Sequence, residues 1–164
     1  MRLGIISDTH LSSLTGDFIS LVEERFTDCD MIVHAGDFTS PEIYRYLREQ
    51  TSGNLMAVHG NMDPPELRKL LPEQVVFEKS GITFGLIHGW GGPHDLEERI
   101  ARRFSDEDVC CIIYGHSHNG VSHTRDDVLF FNPGSPTDRY HARMNSIGYV
   151  TIENGEIYGE VVPL

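Results

Sequence analysis

Short apolar runs, each broken by a polar cluster, recur along the chain. Leu3-Gly4-Ile5-Ile6 opens into Asp8-Thr9-His10, and Met31-Ile32-Val33 passes through His34-Ala35-Gly36 to Asp37. Leu55 to Val58 opens into Gly60-Asn61-Met62-Asp63, Ile82 to Ile87 into His88-Gly89, and Cys110 to Tyr114 into Gly115-His116-Ser117-His118. Runs this short, bounded by glycine, read as buried strands, and a glycine at the end lets the next side chain turn out of the strand. Between them lie stretches at helical spacing. Phe18, Leu21, Val22 and Phe26 mark one helix over Asp17 to Phe26, with Thr15 or Asp17 as its N-cap. Ser40-Pro41-Glu42 starts another through Tyr44, Leu47 and Arg48, ending near Ser52-Gly53. Glu66 to Leu71 and Leu96 to Phe104 complete the set, the last with Ile100 inward and Glu97, Arg99 and Arg103 outward.

The later chain changes character. Val75 to Glu78 and Ile82 to Phe84 flank Lys79-Ser80-Gly81 as a hairpin, and Val128 to Phe131 is a further strand. Thr137 to Ser146 reads as a polar loop. Ile147 to Ile152 and Ile157 to Val162 flank Asn154-Gly155, which supplies the positive φ angles of a tight turn. A parallel start and an antiparallel finish give an α/β chain with mixed sheets, expected as a single domain over residues 1–164.

Charge and cysteine content narrow the class. A formal net charge of −12 argues against a sequence-independent grip on nucleic acid, which depends on Lys and Arg neutralising phosphates. Three cysteines without a C-x-x-C spacing fit a reducing setting. The N-terminal apolar run is too short for a signal segment, and no stretch approaches a membrane span, so a cytoplasmic protein is expected.

The residues after the apolar runs carry the chemistry. If the chain stays extended, Asp8 with His10, and His116 with His118, each point to one side. Either pair alone is as readily an ordinary strand-end turn. Two aspartates, one asparagine and four histidines at equivalent places are harder to explain by packing. A nitrogen and oxygen donor set without sulfur suits Mn, Fe, Co, Ni or Zn, and seven donor groups suggest two ions.

The motifs Asp-x-His, Gly-Asp, Gly-Asn-x-Asp, His-Gly and Gly-His-Ser-His, in this order, resemble the calcineurin-like metallophosphoesterases. With Asn132-Pro133-Gly134-Ser135 they are most similar to the short bacterial and archaeal phosphodiesterase branch. The resemblance implies two facing mixed β-sheets flanked by helices, an αββα sandwich. It implies that Asp8, His10 and His118 hold one ion, that Asn61, His88 and His116 hold the other, and that Asp37 bridges both. It further implies two divalent transition-metal ions, manganese first, with iron, zinc, nickel or cobalt as alternatives. Asp37, Asn61 and His88 would act catalytically through those ions and a bridging water, whose hydroxide attacks a phosphodiester. The partner would be a small phosphate ester or nucleotide, with no membrane partner and room for a homo-oligomer. The alternative is a non-catalytic protein-binding scaffold, like the related retromer subunit; retention of the four histidines favours the enzyme. One departure is Met62, where many members carry the histidine that protonates the leaving group. No general acid is therefore assigned.

Further residues have double readings. His34 and His59 orient ligands or simply pack, and Asp63 is placed to orient a ligand. His123, Arg125, Arg139 and His141 line a substrate mouth or face solvent as loop residues. Trp90 shapes a pocket wall or packs, and Asn132 supports the site or only makes a turn.

Overall fold

The apolar runs become strands, and parallel pairing of the first three builds one sheet. In the computed structural model, which describes residues 1–138 and 140–164, β1 (Arg2–Ile6) pairs in parallel with β2 (Met31–His34), and β2 with β3 (Leu55–Ala57). Two antiparallel strands from the end of the chain, β9 (Ser146–Glu153) and β10 (Glu156–Pro163), extend it in the order β10-β9-β1-β2-β3. Their turn is Asn154-Gly155, both at positive φ, as the dipeptide predicts.

The second sheet is built from β4 (Gln74–Lys79), β5 (Ile82–Ile87), β6 (Cys111–Ile113), β7 (Val121–Arg125) and β8 (Val128–Asn132), in the order β4-β5-β6-β8-β7. Leu3, Ile5 and Val33 from one sheet meet Phe84, Leu86, Ile113 and Phe131 from the other in a shared core, all at most 1% exposed. Each such side chain contributes about 1.5–3 kcal/mol relative to exposure.

Helices cover the outer faces. α1 (Gly16–Phe26) and α2 (Pro41–Gln50) lay Phe18, Val22, Phe26, Ile43 and Leu47 on the first sheet. Thr15 caps α1 by accepting the Phe18 N–H, and Ser40 caps α2 by accepting that of Glu42, with Pro41 following. The short α3 (Pro65–Leu70) buries Leu67 in the same cluster. α4 (Leu96–Arg103) packs Leu96 and Ile100 on the second sheet beside Phe104. The result is the expected αββα sandwich.

Two expectations need correction. Val121–Arg125 is a strand, antiparallel to β8 through a turn at Asp126-Asp127, so His123 and Arg125 are sheet residues rather than loop residues. The side chains of Glu97 and Arg99 also do not simply face water. Glu97 accepts the Tyr114 hydroxyl and pairs with His123 at 3.0 Å, while Arg99 donates to the carbonyls of Trp90, Gly92 and His94.

Candidate active site

The strand ends β1, β2, β5 and β6 deliver their polar clusters to one rim between the sheets. They do so by sharp turns rather than by extension. Asp8, His10, Asp37, His116 and His118 all have φ between 43° and 69°, so alternation along an extended chain is not what aims them. Gly36, at φ +94°, permits the close approach this needs: a Cβ there would lie 2.8 Å from the Gly60 nitrogen and 2.9 Å from His88 Nδ1. Gly115 does the same opposite Asp8, where a Cβ would run into Ser7 Oγ.

Donor atoms gather in two overlapping groups, Asp8 with His10 and His118, and Asp8 with Asp37 and His88. His118 Nε2 is 3.3 Å and His88 Nε2 3.8 Å from Asp8 Oδ1, and His88 Nε2 is 3.2 Å from Asp37 Oδ2. His10 Nε2 lies 3.6 Å from Asp37 Oδ2 and 3.2 Å from His118 Nε2. Both carboxylates thus reach both sides. Asn61 and His116 are brought together with each other, Asn61 Oδ1 lying 3.0 Å from His116 Nδ1 while His116 Nε2–H donates to the Gly91 carbonyl at 2.7 Å. The link from that turn to the cluster is main-chain: the Met62 N–H donates to Asp37 Oδ1 at 2.7 Å.

Surrounding groups fix these side chains. Asp63, whose place in the Gly-Asn-x-Asp motif marks it, accepts the N–H groups of Asp37 at 3.0 Å, Gly60 at 2.8 Å and Thr39 at 2.9 Å, locking the turns that carry Asp37 and Asn61. Asp8 Oδ2 accepts Ser7 Oγ–H at 2.7 Å and the His116 N–H at 3.0 Å. Asn132 donates to the Gly115 carbonyl at 2.8 Å and to Ser117 Oγ at 3.1 Å, so it braces the histidine loop as well as making its own turn. His34 is buried against Phe38, its rings 3.5 Å apart, and accepts the Gly36 N–H. Burial pushes its pKa down to about 3, which keeps it the neutral acceptor that this bond requires.

Asp138 escapes sequence reasoning because it lies in a polar loop without an apolar run to mark it. Its carboxylate accepts His118 Nδ1–H and the N–H groups of Tyr140, His141 and Ala142. A histidine held this way by a carboxylate presents its other nitrogen in one tautomer and one orientation. Of the mouth candidates among the described residues, only His141 stands beside the cluster, edge-on to His118 at 5.7 Å. His123 pairs with Glu97, the Arg125 guanidinium covers the Phe130 ring, and Arg139 lies outside the described residues. His59 and Trp90 line a small cavity of about 160 Å³ beside Asn61 and His88.

The electrostatics of the cluster favour a cation. Asp8 Oδ1 and His88 Nε2 are buried with no hydrogen-bond partner, although each has oppositely charged or chargeable atoms nearby. His88 Nδ1–H donates to the Ala35 carbonyl at 2.7 Å, so Nε2 is the nitrogen that faces the cluster, where either a proton or a metal ion would sit. Orphaned buried polar atoms converging on one space are costly unless a cation joins them, so this donor set fits divalent metal. Burial works to raise the Asp8 carboxyl, but His10, His118 and His88 outweigh it and hold it well below the carboxylate range.

Burial likewise opposes charge on His88 and His118, yet Asp37 and Asp8 push the first up to about 9, and Asp8 and Asp138 push the second to about 9. A histidine raised from 6.5 contributes stability that is fully present below pH 6.5 and lost as pH climbs through 9. The metal-free protein should therefore melt at falling temperatures across that window. The metal-loaded protein should not, because a cation replaces the proton. Thermal midpoints with and without Mn²⁺ check this, and a flat metal-free profile contradicts it.

Comparison with known proteins agrees with the geometry. The family profile of the calcineurin-like phosphoesterase superfamily domain matches residues 1–155. A probable metallophosphoesterase of Methanothermobacter thermautotrophicus is 34% identical, covering 84% of this chain and 78% of the relative. A phosphodiesterase of Methanocaldococcus jannaschii is 29% identical over 99% of both chains. Among solved structures, a single mutant of Vps29 from Entamoeba histolytica superposes with a TM-score of 0.76 at 23% identity, covering all of this chain and 99% of that one, a likeness of fold alone. Because that profile runs from the first strand through the turn of the last hairpin, this chain belongs to the calcineurin-like phosphoesterase superfamily.

Proposed function

We propose that this chain is a metal-dependent phosphodiesterase that works with two divalent transition ions, manganese foremost. The observation that carries the reading is the buried pair Asp8 Oδ1 and His88 Nε2, unpartnered and facing the same donor cluster. In this reading Asp8, His10 and His118 hold one ion, Asn61, His88 and His116 the other, and Asp37 touches both. When bound, such ions neutralise phosphoryl oxygens and acidify water so that hydroxide is available near neutral pH.

The chain's own residues do the positioning. Asp63 fixes the turns bearing Asp37 and Asn61, and Asp138 holds His118 so that Nε2 faces the cluster. The net charge of −12 favours small esters over nucleic acid. The three free cysteines support a reducing, cytoplasmic setting, and among the described residues no helix is long and apolar enough to cross a membrane. A protein-binding scaffold on this fold would need none of these donors, whereas all four histidines are present.

Elemental analysis of reconstituted protein, paired with hydrolysis of bis-p-nitrophenyl phosphate, tests the proposal. Two ions per chain are expected at full activity, with activity lost on chelation and regained with Mn²⁺. Full activity at one ion would sink the dinuclear assignment, and no hydrolysis at any metal load would favour the scaffold.

A further inference from the structure

Beside the donor cluster, on the His10 side, lies a groove of about 590 Å³ between α1 and residues 136–138 and 140–145. It is lined by Leu11, Phe18, Leu21, Pro136 and Tyr140 together with the polar Thr15, Asp17, Thr137 and Asn145, and it reaches His10 and Asp138. The groove therefore adjoins the proposed centre, since His10 belongs to that centre and Asp138 braces its His118. Its wall is preset rather than loose: the Thr137 hydroxyl donates to the Thr9 carbonyl, Asn145 Nδ2 donates to the Pro136 carbonyl at 2.9 Å, and Asp138 gathers the N–H groups that carry Tyr140. Tyr140 is 88% exposed, although large aromatic side chains normally bury their rings.

Resting on the phosphodiesterase reading, we infer that this groove seats the non-leaving ester group of the substrate and selects a flat, apolar or aromatic group. The volume is in the range of small-ligand sites, and Leu11, Phe18, Leu21, Pro136 and Tyr140 give it an apolar stretch on which a ring can lie. Asp17 on the wall, with a chain charge of −12, disfavours an ester group that carries further phosphate. The substrate class is thus a phosphodiester with one bulky, uncharged arm.

The test holds the leaving group constant. Methyl p-nitrophenyl phosphate and phenyl p-nitrophenyl phosphate are assayed with saturating Mn²⁺, each rate corrected for its non-enzymatic reactivity. The phenyl ester should show a kcat/KM about 10- to 100-fold higher, mostly through KM, the usual worth of a filled apolar pocket. Tyr140→Ala and Leu21→Ala should each shrink that ratio, and Tyr140→Phe should keep it. Equal values for the two esters, or a ratio untouched by both alanine variants, overturn the groove while leaving the phosphodiesterase reading intact. Hydrolysis of neither ester overturns the reading and the groove together.

Discussion

Asp37→Asn should cut kcat/KM for an aryl phosphodiester by about 10³-fold, far more than Asn61→Ala. The Asp37 carboxylate lies 3.2 Å from His88 Nε2 and 3.6 Å from His10 Nε2, so its charge serves both sides of the cluster. A unit charge acting at about 4 Å through an effective dielectric constant of about 20 is worth about 4 kcal/mol, or about three decades in rate. The asparagine is isosteric and its Oδ1 can still accept the Met62 N–H, so the turn should survive. Asn61→Ala removes a neutral oxygen, and a loss of about 10- to 100-fold is expected. The measurements are steady-state kinetics and metal content on both variants, with near-ultraviolet circular dichroism to confirm the fold. Near-normal turnover and metal content in Asp37→Asn would remove the bridging role.

A steep dependence on leaving-group acidity is the second large effect. Departure of an alkoxide or phenoxide leaves negative charge on oxygen, and a general acid contributes about 10²- to 10⁴-fold by protonating it. At position 62 the backbone is committed to Asp37 Oδ1, while Met62 is 58% exposed and its thioether has no proton to give. Aryl diesters should therefore turn over well and alkyl diesters poorly. Met62→His should flatten the dependence without disturbing the backbone bond. A series of diesters with graded leaving-group pKa at saturating metal decides the matter. A flat profile in the unaltered protein, with chemistry rate-limiting, would mean that another group, such as His59 at the neighbouring cavity, protonates the leaving oxygen.

Much of the fold and of the donor set is legible in the sequence because the same physics repeats. Each buried strand is an apolar run, and each glycine near its end frees the backbone to turn, so position alone marks Asp37, His88 and His116, and Asp8 by analogy. How they converge is not legible. Asp8 and His10 meet through left-handed turns, and His116 turns to Asn61 while His118 turns to Asp8, where an extended chain would have aimed each pair together. Strand β7 is hidden because Ser122, His123 and Thr124 are all exposed, which erases the alternation that marks a half-buried strand. Its Asp126-Asp127 turn, at φ 51° and 63°, is the signal available. Asp138 cannot be read from pattern at all, since its partners are a ring nitrogen twenty positions away in sequence and three amides of its own loop.

The place of β1 between β2 and β9 bears on when the protein can acquire its ions. Asp8 is synthesised first, and the His116 amide that holds its carboxylate follows 108 residues later, about 5 to 20 s at ordinary elongation rates. Until β9 is made, one edge of β1 is open, and the Ser135 hydroxyl that fixes the Asp8 carbonyl has not arrived. A half-synthesised chain therefore offers loose carboxylates and no defined coordination geometry. Binding in a defined coordination geometry therefore waits until β9 is in place and the distant parts of the cluster have folded together.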